Sequence, residues 1–314
     1  MFEQILDAIR SHDTIILHRH SSPDGDAIGS QIGLKHILRD AFPEKKIYAV
    51  GDPAGRYAFM QDSVMDEVED SAYVGALAII LDTSARALIS DERYQQAALT
   101  ARIDHHIFCE KIADIEVTDS TCESCCSLIT AFAMESGLPV SDTAATLLYT
   151  GMVTDSGRFR YDSTSDKTFR HASFLMERSI DTNELYRHLY ANDFEQVKLR
   201  AQYVLKMQFT KKRVAYIYTT LDELKALGVD TFAISRGMVS VMADIRGVDI
   251  WANFTETEKG VLCELRSSRY NINPIAVKYG GGGHAKASGA TLKSREEAMR
   301  MLEDLDALAG EATW

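Results

Sequence analysis

The first half of the chain alternates short apolar runs with segments of helical periodicity. The runs of strand length are "TIILHRH", "KKIYAV", "GALAIILDTS" and "ALTARIDHH". Helical spacing of apolar residues follows the first run over residues 26–40 and returns in "STCESCCSLITAFAMESG" after the last. Alternation of this kind predicts parallel strands joined by crossover helices, which is an α/β fold.

The second half has a different pattern. Residues 142–200 are predicted to be mainly helical and to end in a connecting helix, "DFEQVKLRAQYVLKMQF". The strands predicted after it are "KKRVAYIYTT", "DIWANFTET" and "GVLCELRSS", with a helix near "ISRGMVSVMADI". Because 314 residues exceed what one core usually covers, we predict two domains. They are an N-terminal α/β domain over residues 1–188 and a smaller C-terminal α/β domain over 206–314, joined by a linker helix over 189–205.

Charge and hydropathy exclude two classes of partner. The net charge of −12 argues against a broad basic surface for long nucleic acid, including duplex DNA, and suits an acidic cleft that concentrates cations. No apolar stretch approaches the roughly 20 residues of a membrane span, so no membrane partner is expected. The N-terminus "MFEQILDAIRSHD" does not resemble a signal peptide, and we expect a cytoplasmic protein.

Cysteines occur at positions 109, 122, 125, 126 and 263, and this odd number does not favour a disulfide framework. The cluster "CESCC" has zinc-ligand spacing only between Cys122 and Cys125. We favour buried cysteines of one amphipathic helix over a zinc site. Ser120 and Glu123 are predicted to form a capping box at its start, and Gly137 to end it.

Polar side chains cluster where the predicted strands end, which is the edge at which parallel sheets bind ligands. The residues are His20, Asp24 and Asp26; Asp82; Asp104, His105 and His106; and Asp155. Each alone is explained by a cap or a turn, but burying several carboxylates together is prohibitive without cations. Mixed carboxylate and imidazole ligands favour Mn²⁺, with Co²⁺, Zn²⁺ and Mg²⁺ as alternatives. Five or six such groups fit two ions that share a bridging carboxylate and a bridging water.

Five motifs in order carry a resemblance to a known family. The segments "HSSPDGDAIGS", "LDTS", "DHH" and "TDSGRF" resemble the four signature motifs of the DHH phosphoesterase superfamily. Near the C-terminus, "GGGGHAKASGA" resembles the glycine-rich signature of the DHH-associated domain. At this size the chain is most similar to the nanoRNase and pAp phosphatase branch. The resemblance implies a Mn²⁺-dependent hydrolase that degrades short oligoribonucleotides to mononucleotides and removes the 3'-phosphate of pAp, using water activated by two metals.

The resemblance also implies a role for each residue of the clusters. One metal would be held by His20, Asp24 and Asp82, and the other by Asp26, Asp82, His105 and Asp155, with Asp82 as the bridge. His106 would face the scissile phosphate as a catalytic residue, and Asp104 would orient the adjacent histidines. His18, on the first strand, is interpreted as structural.

The glycine run in "YGGGGHAKASG" predicts an anion site in the C-terminal domain, because consecutive glycines let backbone N–H groups approach an anion. A flexible linker is the alternative reading. The resemblance implies a set of substrate-binding residues: Arg266, Ser267, Gly281, Gly282, Gly283 and His284. Arg269 and Lys278 are weaker candidates, because surface solvation explains them equally well.

The expected partners are short RNA oligonucleotides or small nucleotides such as pAp and pApA, and the sequence leaves a homodimer open. A stand-alone cyclic-di-AMP or pApA phosphodiesterase shares every motif and stays as an alternative. A family II inorganic pyrophosphatase is less favoured, because the four-glycine run followed by His284 matches the other branch. A nucleotide-binding sensor derived from an inactive enzyme would have lost ligands, and none of the expected ligands is missing.

Overall fold

The computed structural model describes residues 1–310 and divides the chain into two compact units, with the boundary after Ala191. The helix predicted as a linker over 189–205 is observed at Phe194–Lys206. It belongs to the second unit, because its Tyr203 is buried in that unit's core beside Ile217. A linker separate from both domains is therefore not observed.

The first unit contains a five-stranded sheet in which every neighbouring pair is parallel, in the order β2-β1-β3-β4-β5. The strands are β1 Thr14–His18, β2 Lys46–Ala49, β3 Leu77–Leu81, β4 Leu99–Asp104 and β5 Ile115–Thr118. The predicted parallel α/β fold is confirmed. The sequence pattern does not predict β5, because this edge strand buries only Val117 and lacks a continuous apolar run.

Two helices of the first unit approach each other closely because they meet at glycines. The helices are α1 Glu3–Ser11, α2 Gly25–Ala41, α3 Cys125–Ser136, α4 Asp142–Asp155, α5 Asp166–Met176 and α6 Thr182–Tyr190. A Cβ on Gly29 of α2 would lie 2.6 Å from the carbonyl oxygen of Leu147, and one on Gly151 of α4 would lie 3.0 Å from Cα of Asp26. A larger side chain at either position would push apart the two helices that carry Asp26 and Asp155.

The start of α3 differs from its prediction. Ser124, and not Ser120, caps the helix, and its hydroxyl accepts a hydrogen bond from the amide of Ser127. The predicted Ser120–Glu123 capping box is wrong, because Glu123 is buried and accepts a hydrogen bond from Thr168 instead. At the other end, Gly137 stops the helix in the left-handed conformation as predicted.

The second unit is a mixed α/β layer structure around a six-stranded sheet in the order β10-β11-β9-β8-β7-β6, in which only β7 and β8 are parallel. Its strands are β6 Gln208–Phe209, β7 Ala215–Thr219, β8 Ile250–Thr257, β9 Gly260–Ser267, β10 Gly282–His284 and β11 Ala287–Leu292. Its helices are α7 Phe194–Lys206, α8 Leu221–Leu227, α9 Thr231–Ser235, α10 Asn273–Lys278 and α11 Arg295–Ala309. Adjacent residues of β8, such as Trp251 and Ala252, contact two separate core clusters, as expected for the two faces of a strand.

Within residues 1–310, no helix is both long enough and apolar enough to span a membrane.

Candidate active site

The predicted site residues of the first unit come together at the carboxyl edge of its sheet. His20 follows β1, Asp82 comes directly after β3, and Asp104 is the last residue of β4. The other contributors come from helix termini: Asp24 caps α2, and Asp155 is the last residue of α4. The prediction that Asp155 follows a strand is therefore wrong, although it reaches the same edge.

The six residues expected to hold metal form two clusters. One cluster contains His20, Asp24 and Asp82, and the other contains Asp26, His105 and Asp155. Within each cluster the candidate ligand atoms all lie within 4.8 Å of one another. Asp82 also groups with His105 and His106 at the same limit, so it lies between the two clusters. The arrangement could therefore hold two ions around one shared carboxylate.

Asp82 has the geometry of a shared ligand. Its Oδ2 lies 3.4 Å from Nε2 of His20, and its Oδ1 lies 3.4 Å from Nε2 of His105. Oδ1 is buried and accepts no hydrogen bond from any residue within 1–310. The residue adopts a left-handed backbone with φ of 49°, a conformation that is strained for an aspartate and that recurs at functional sites. A buried carboxylate oxygen without a hydrogen-bond donor fits a cation as its missing partner.

The electrostatics of the clusters also favour bound cations. Burial raises the pKa of Asp26, and the charges of Asp82 and Asp155 raise it further. Burial likewise raises the pKa of Asp155, to about 7. Burial alone would lower the pKa of His105, but Asp82 and Asp26 outweigh it and raise that pKa to about 10. The carboxylates thus repel one another and favour a protonated imidazole beside them. Divalent ions would neutralise this excess of negative charge.

Backbone carbonyls orient the two histidines of the clusters. Nδ1 of His20 lies 2.8 Å from the carbonyl oxygen of Ser21, and Nδ1 of His105 lies 3.3 Å from that of Cys122. An Nδ1–H donated to a carbonyl leaves Nε2 as the ligand atom, and in both residues Nε2 faces Asp82.

His106 is oriented by a buried ion pair. Its Nδ1 lies 2.7 Å from Oδ1 of Asp104, whose Oδ2 accepts a hydrogen bond from the fully buried Arg102 at 2.5 Å. The hydrogen bond that the ring of His106 donates to Asp104 raises the pKa of His106. Asp104 therefore orients His106, whereas His105 is held by the carbonyl of Cys122 and not by Asp104 as expected. Sequence reasoning missed Arg102, although a charged residue two positions before Asp104 on a buried strand faces the same side.

The helix start at "CESCC" holds Asp26. The backbone amides of Cys125 and Cys126 donate to its Oδ2 and Oδ1 at 2.7 and 2.8 Å. A carboxylate at this position also gains from the partial positive charge of the N-terminus of α3. The side chains of Cys125 and Cys126 are fully buried in α3 as predicted, whereas Cys122 is buried but lies before the helix. The segment supports the cluster through its backbone, and no side-chain pattern in the sequence indicates this.

In the second unit, the glycine run borders a groove of about 970 Å³ together with Arg266 and His284. Residues 282–284 form β10 and pair with β11, so the run is not a flexible linker. A Cβ on Gly281 would lie 2.0 Å from the carbonyl oxygen of Gly289, whereas one on Gly282 would meet nothing within 4 Å. Packing therefore requires a glycine at 281, and the glycine at 282 leaves the groove open.

Ser267 is not brought to this groove. It is buried, its hydroxyl donates to the carbonyl of Asp249, and the amides of Arg269 and Tyr270 donate to it. Because side chains alternate along β9, Ser267 lies on the opposite face from Arg266. In the structure its hydroxyl joins the end of β9 to Asp249 and Tyr270, and its expected contact with substrate stays a prediction. Lys278 pairs with Asp304 at the surface, and the lining of the groove within residues 1–310 includes neither Lys278 nor Arg269.

Comparison with known proteins finds relatives that match nearly the whole chain. The bifunctional oligoribonuclease and PAP phosphatase NrnA of Bacillus subtilis is 36% identical over 314 residues, covering 99% of both chains. The probable bifunctional oligoribonuclease and PAP phosphatase NrnA of Streptococcus mutans is 37% identical, covering 97% of both. Among solved structures, an exopolyphosphatase-related protein of Bacteroides fragilis superposes with a TM-score of 0.85 at 26% identity, covering 99% of this chain and 97% of that one.

Family models divide the chain as the two units do. Residues 14–152 match the N-terminal domain of the DHH family, and this range contains all the strands of the parallel sheet and every residue of the two clusters except Asp155. Residues 214–311 match the DHHA1 domain, which contains the glycine run and Arg266. With full-length relatives above 30% identity, these matches establish that the chain belongs to the DHH family and carries a DHHA1 domain.

Proposed function

We propose that this protein is a metal-dependent phosphoesterase that hydrolyses short oligoribonucleotides to mononucleotides and removes the 3'-phosphate from pAp. The observation that carries the proposal is the pair of carboxylate–histidine clusters joined at Asp82. They occur in a chain that is 36% identical throughout to a bifunctional oligoribonuclease and PAP phosphatase. The negative net charge of −12 supports a short substrate over long nucleic acid.

Two divalent ions, with Mn²⁺ as the expected metal, are proposed to bind at the two clusters. The ligands of one would be His20, Asp24 and Asp82, and those of the other Asp26, Asp82, His105 and Asp155. When bound, such ions make water nucleophilic at neutral pH and neutralise charge on a phosphoryl group. The chain's contribution is a fixed donor set: burial, backbone carbonyls and the amides of α3 hold these side chains before any substrate arrives.

His106 is proposed to contact the phosphate that is cut. Its Nδ1 donates a hydrogen bond to Asp104. Nε2 is therefore the ring nitrogen that can donate to a phosphate oxygen or to the leaving oxygen. The side chain is 42% exposed, in contrast to the buried Asp82 beside it, and a substrate can therefore reach it.

The groove of the second unit is proposed to bind a nucleotide. Arg266, His284 and the open space at Gly282 supply cationic and backbone contacts of the kind that a phosphate needs. A site that binds one nucleotide end while another site cleaves would favour substrates of a few residues.

The test is a comparison of kcat/KM on pApA, pAp, cyclic-di-AMP and a 20-residue RNA in Mn²⁺, with a chelator-treated control. We expect turnover of pApA and pAp, little turnover of the long RNA, and loss of activity with chelator that Mn²⁺ restores. Highest kcat/KM on cyclic-di-AMP would replace the proposal by a cyclic-dinucleotide phosphodiesterase. Binding without turnover of any of them would indicate a sensor.

A further inference from the structure

One wall of the groove in the second unit carries an aromatic ring and a guanidinium that the proposed function does not use. Phe232 and Arg236 lie on and after the short helix α9, and both line the groove. The side chain of Phe232 is 61% exposed, so a ligand in the groove can reach its ring. The Arg236 guanidinium lies over the ring, with its carbon 5.1 Å from the ring centroid.

This wall is fixed at both ends. The carboxylate of Asp230 accepts hydrogen bonds from the backbone amides of Phe232 and Ala233 at 2.9 and 3.1 Å. The buried Asn253 of β8 donates to the carbonyls of Ile234 and Ser235 at 2.8 and 2.7 Å. The ring therefore lies on a short helix that is anchored to the sheet, and presenting it to a ligand needs little further ordering.

Glu264 joins this wall to the proposed phosphate contacts. One oxygen of its carboxylate accepts a hydrogen bond from Nε of Arg236 at 3.0 Å, and the other accepts one from Nη1 of Arg266 at 3.2 Å. The carboxylate is largely buried, with 14% of its side chain exposed. Because both guanidiniums contact one carboxylate, the stacking surface lies beside the residue that is proposed to bind phosphate.

We propose that Phe232 and Arg236 bind the base of the nucleotide whose phosphate lies at Arg266, His284 and Gly282. The inference rests on the proposed function, since it completes the nucleotide site that the function requires. Aromatic rings and guanidinium planes stack on the π-face of any base, so this subsite would accept nucleotides with little regard to sequence. That property suits an enzyme that degrades short RNA of any sequence.

The experiment compares pApA with two analogues, each of which carries an abasic residue in one of its two positions. Phe232→Ala should raise KM for pApA about tenfold, within the range for loss of one stacked base, with kcat unchanged. For one of the two abasic analogues, wild-type protein should show the same rise in KM, and Phe232→Ala should add nothing to it. Phe232→Tyr retains the ring and should keep KM near the wild-type value.

The chain offers a matched control at Phe209 on the opposite edge strand, β6. Arg213 lies over its ring with the guanidinium carbon 5.4 Å from the centroid, and the ring is 47% exposed. Phe209→Ala removes the same kind of pair outside the groove and should leave KM for every substrate unchanged. A small generic phosphodiester, bis(p-nitrophenyl) phosphate, should be cleaved equally by all variants.

Two results would overturn the inference. One is a KM for pApA that Phe232→Ala leaves unchanged, and the other is a rise that persists in full on both abasic analogues. Either result, obtained with a wild-type protein that cleaves pApA, leaves the proposed function intact. A wild-type protein that cleaves bis(p-nitrophenyl) phosphate but neither pApA nor pAp would instead overturn the proposed function.

Discussion

The cluster at the sheet edge of the first unit and the groove of the second unit are built in opposite ways. In the cluster, Asp26 and Asp82 are nearly inaccessible, and backbone groups determine where their neighbours point. In the groove, Phe232 and His284 are exposed, and the nearby Arg266 is held by a carboxylate on the same strand. The carboxylates proposed to bind cations must be held together against their own repulsion, whereas the groups proposed to bind a nucleotide must remain accessible.

This contrast predicts different kinetic consequences for the two regions. Substitutions in the cluster should reduce metal binding or kcat, since they change the reacting centre. Substitutions in the groove should raise KM and spare the turnover of small substrates.

The largest effect is expected from Asp82→Ala. The substitution removes both carboxylate oxygens that face His20 and His105, so it should weaken metal binding in both clusters. We expect kcat/KM to fall by more than about 100-fold, beyond the usual effect of a residue that only supports a ligand. Metal content should be measured by elemental analysis and folding by circular dichroism. Substantial turnover by a folded Asp82→Ala protein would contradict the shared-ligand assignment.

The next effect is expected from His106→Ala. Its ring is proposed to act on the phosphate and not on the metals, so kcat should fall about 100-fold or more while metal content stays at the wild-type level. The two measurements must be made on the same preparation. Loss of both metals in this variant would place His106 among the ligands and remove its separate role.

A smaller effect is expected from Cys125→Pro, which removes the amide that donates to Asp26. Proline is tolerated at the first position of a helix, and Ser124 already has the extended backbone that a residue before proline adopts. Mn²⁺ affinity measured by calorimetry should fall about 10- to 100-fold. Cys125→Ala keeps the amide and serves as the control. Equal affinities for the two variants would show that the amide does not position Asp26.

In the groove, Arg266→Ala should raise KM for pApA about tenfold, as expected for loss of a charge-assisted hydrogen bond to phosphate. Cleavage of bis(p-nitrophenyl) phosphate should not change, since that substrate does not need the groove. His284→Ala should behave in the same way. Equal losses on both substrates would break the distinction between the two regions.

The smallest effect is expected from Gly282→Ala, whose new methyl group would occupy open groove space. KM for pApA should rise by less than in Arg266→Ala, and the melting temperature should not change. Gly281→Ala is the contrasting variant, because its Cβ would lie 2.0 Å from the carbonyl oxygen of Gly289. It should lose about 1–3 kcal/mol of stability through overpacking. A melting temperature equal to that of the wild type would contradict the packing role.

The sequence predicts the parallel sheet and the membership of the clusters well, because strand ends in a parallel sheet converge on one edge. It misplaces Asp155, since the polar residues around Gly157 resemble a turn after a strand when they in fact end α4. Adjacent residues of a strand face opposite sides, so Ser267 does not line the groove beside Arg266, and its contact with substrate stays a prediction.

Other contacts in both sites cannot be predicted from the residue types. The carbonyl that orients His105 and the amides that hold Asp26 are present in every residue type except, for the amide, proline. In the groove, Arg236 and Arg266 contact the same carboxylate, that of Glu264, although they lie about 30 positions apart in the sequence. Only the tertiary fold brings them to it.

The anchoring of Asp26 by main-chain amides means that an alanine scan of α3 would overlook it. Each substitution would keep its N–H group, and the carboxylate would stay where it is. The side chains at 125 and 126 can therefore change without loss of these two hydrogen bonds, provided that neither residue becomes proline and that α3 still begins at the same place.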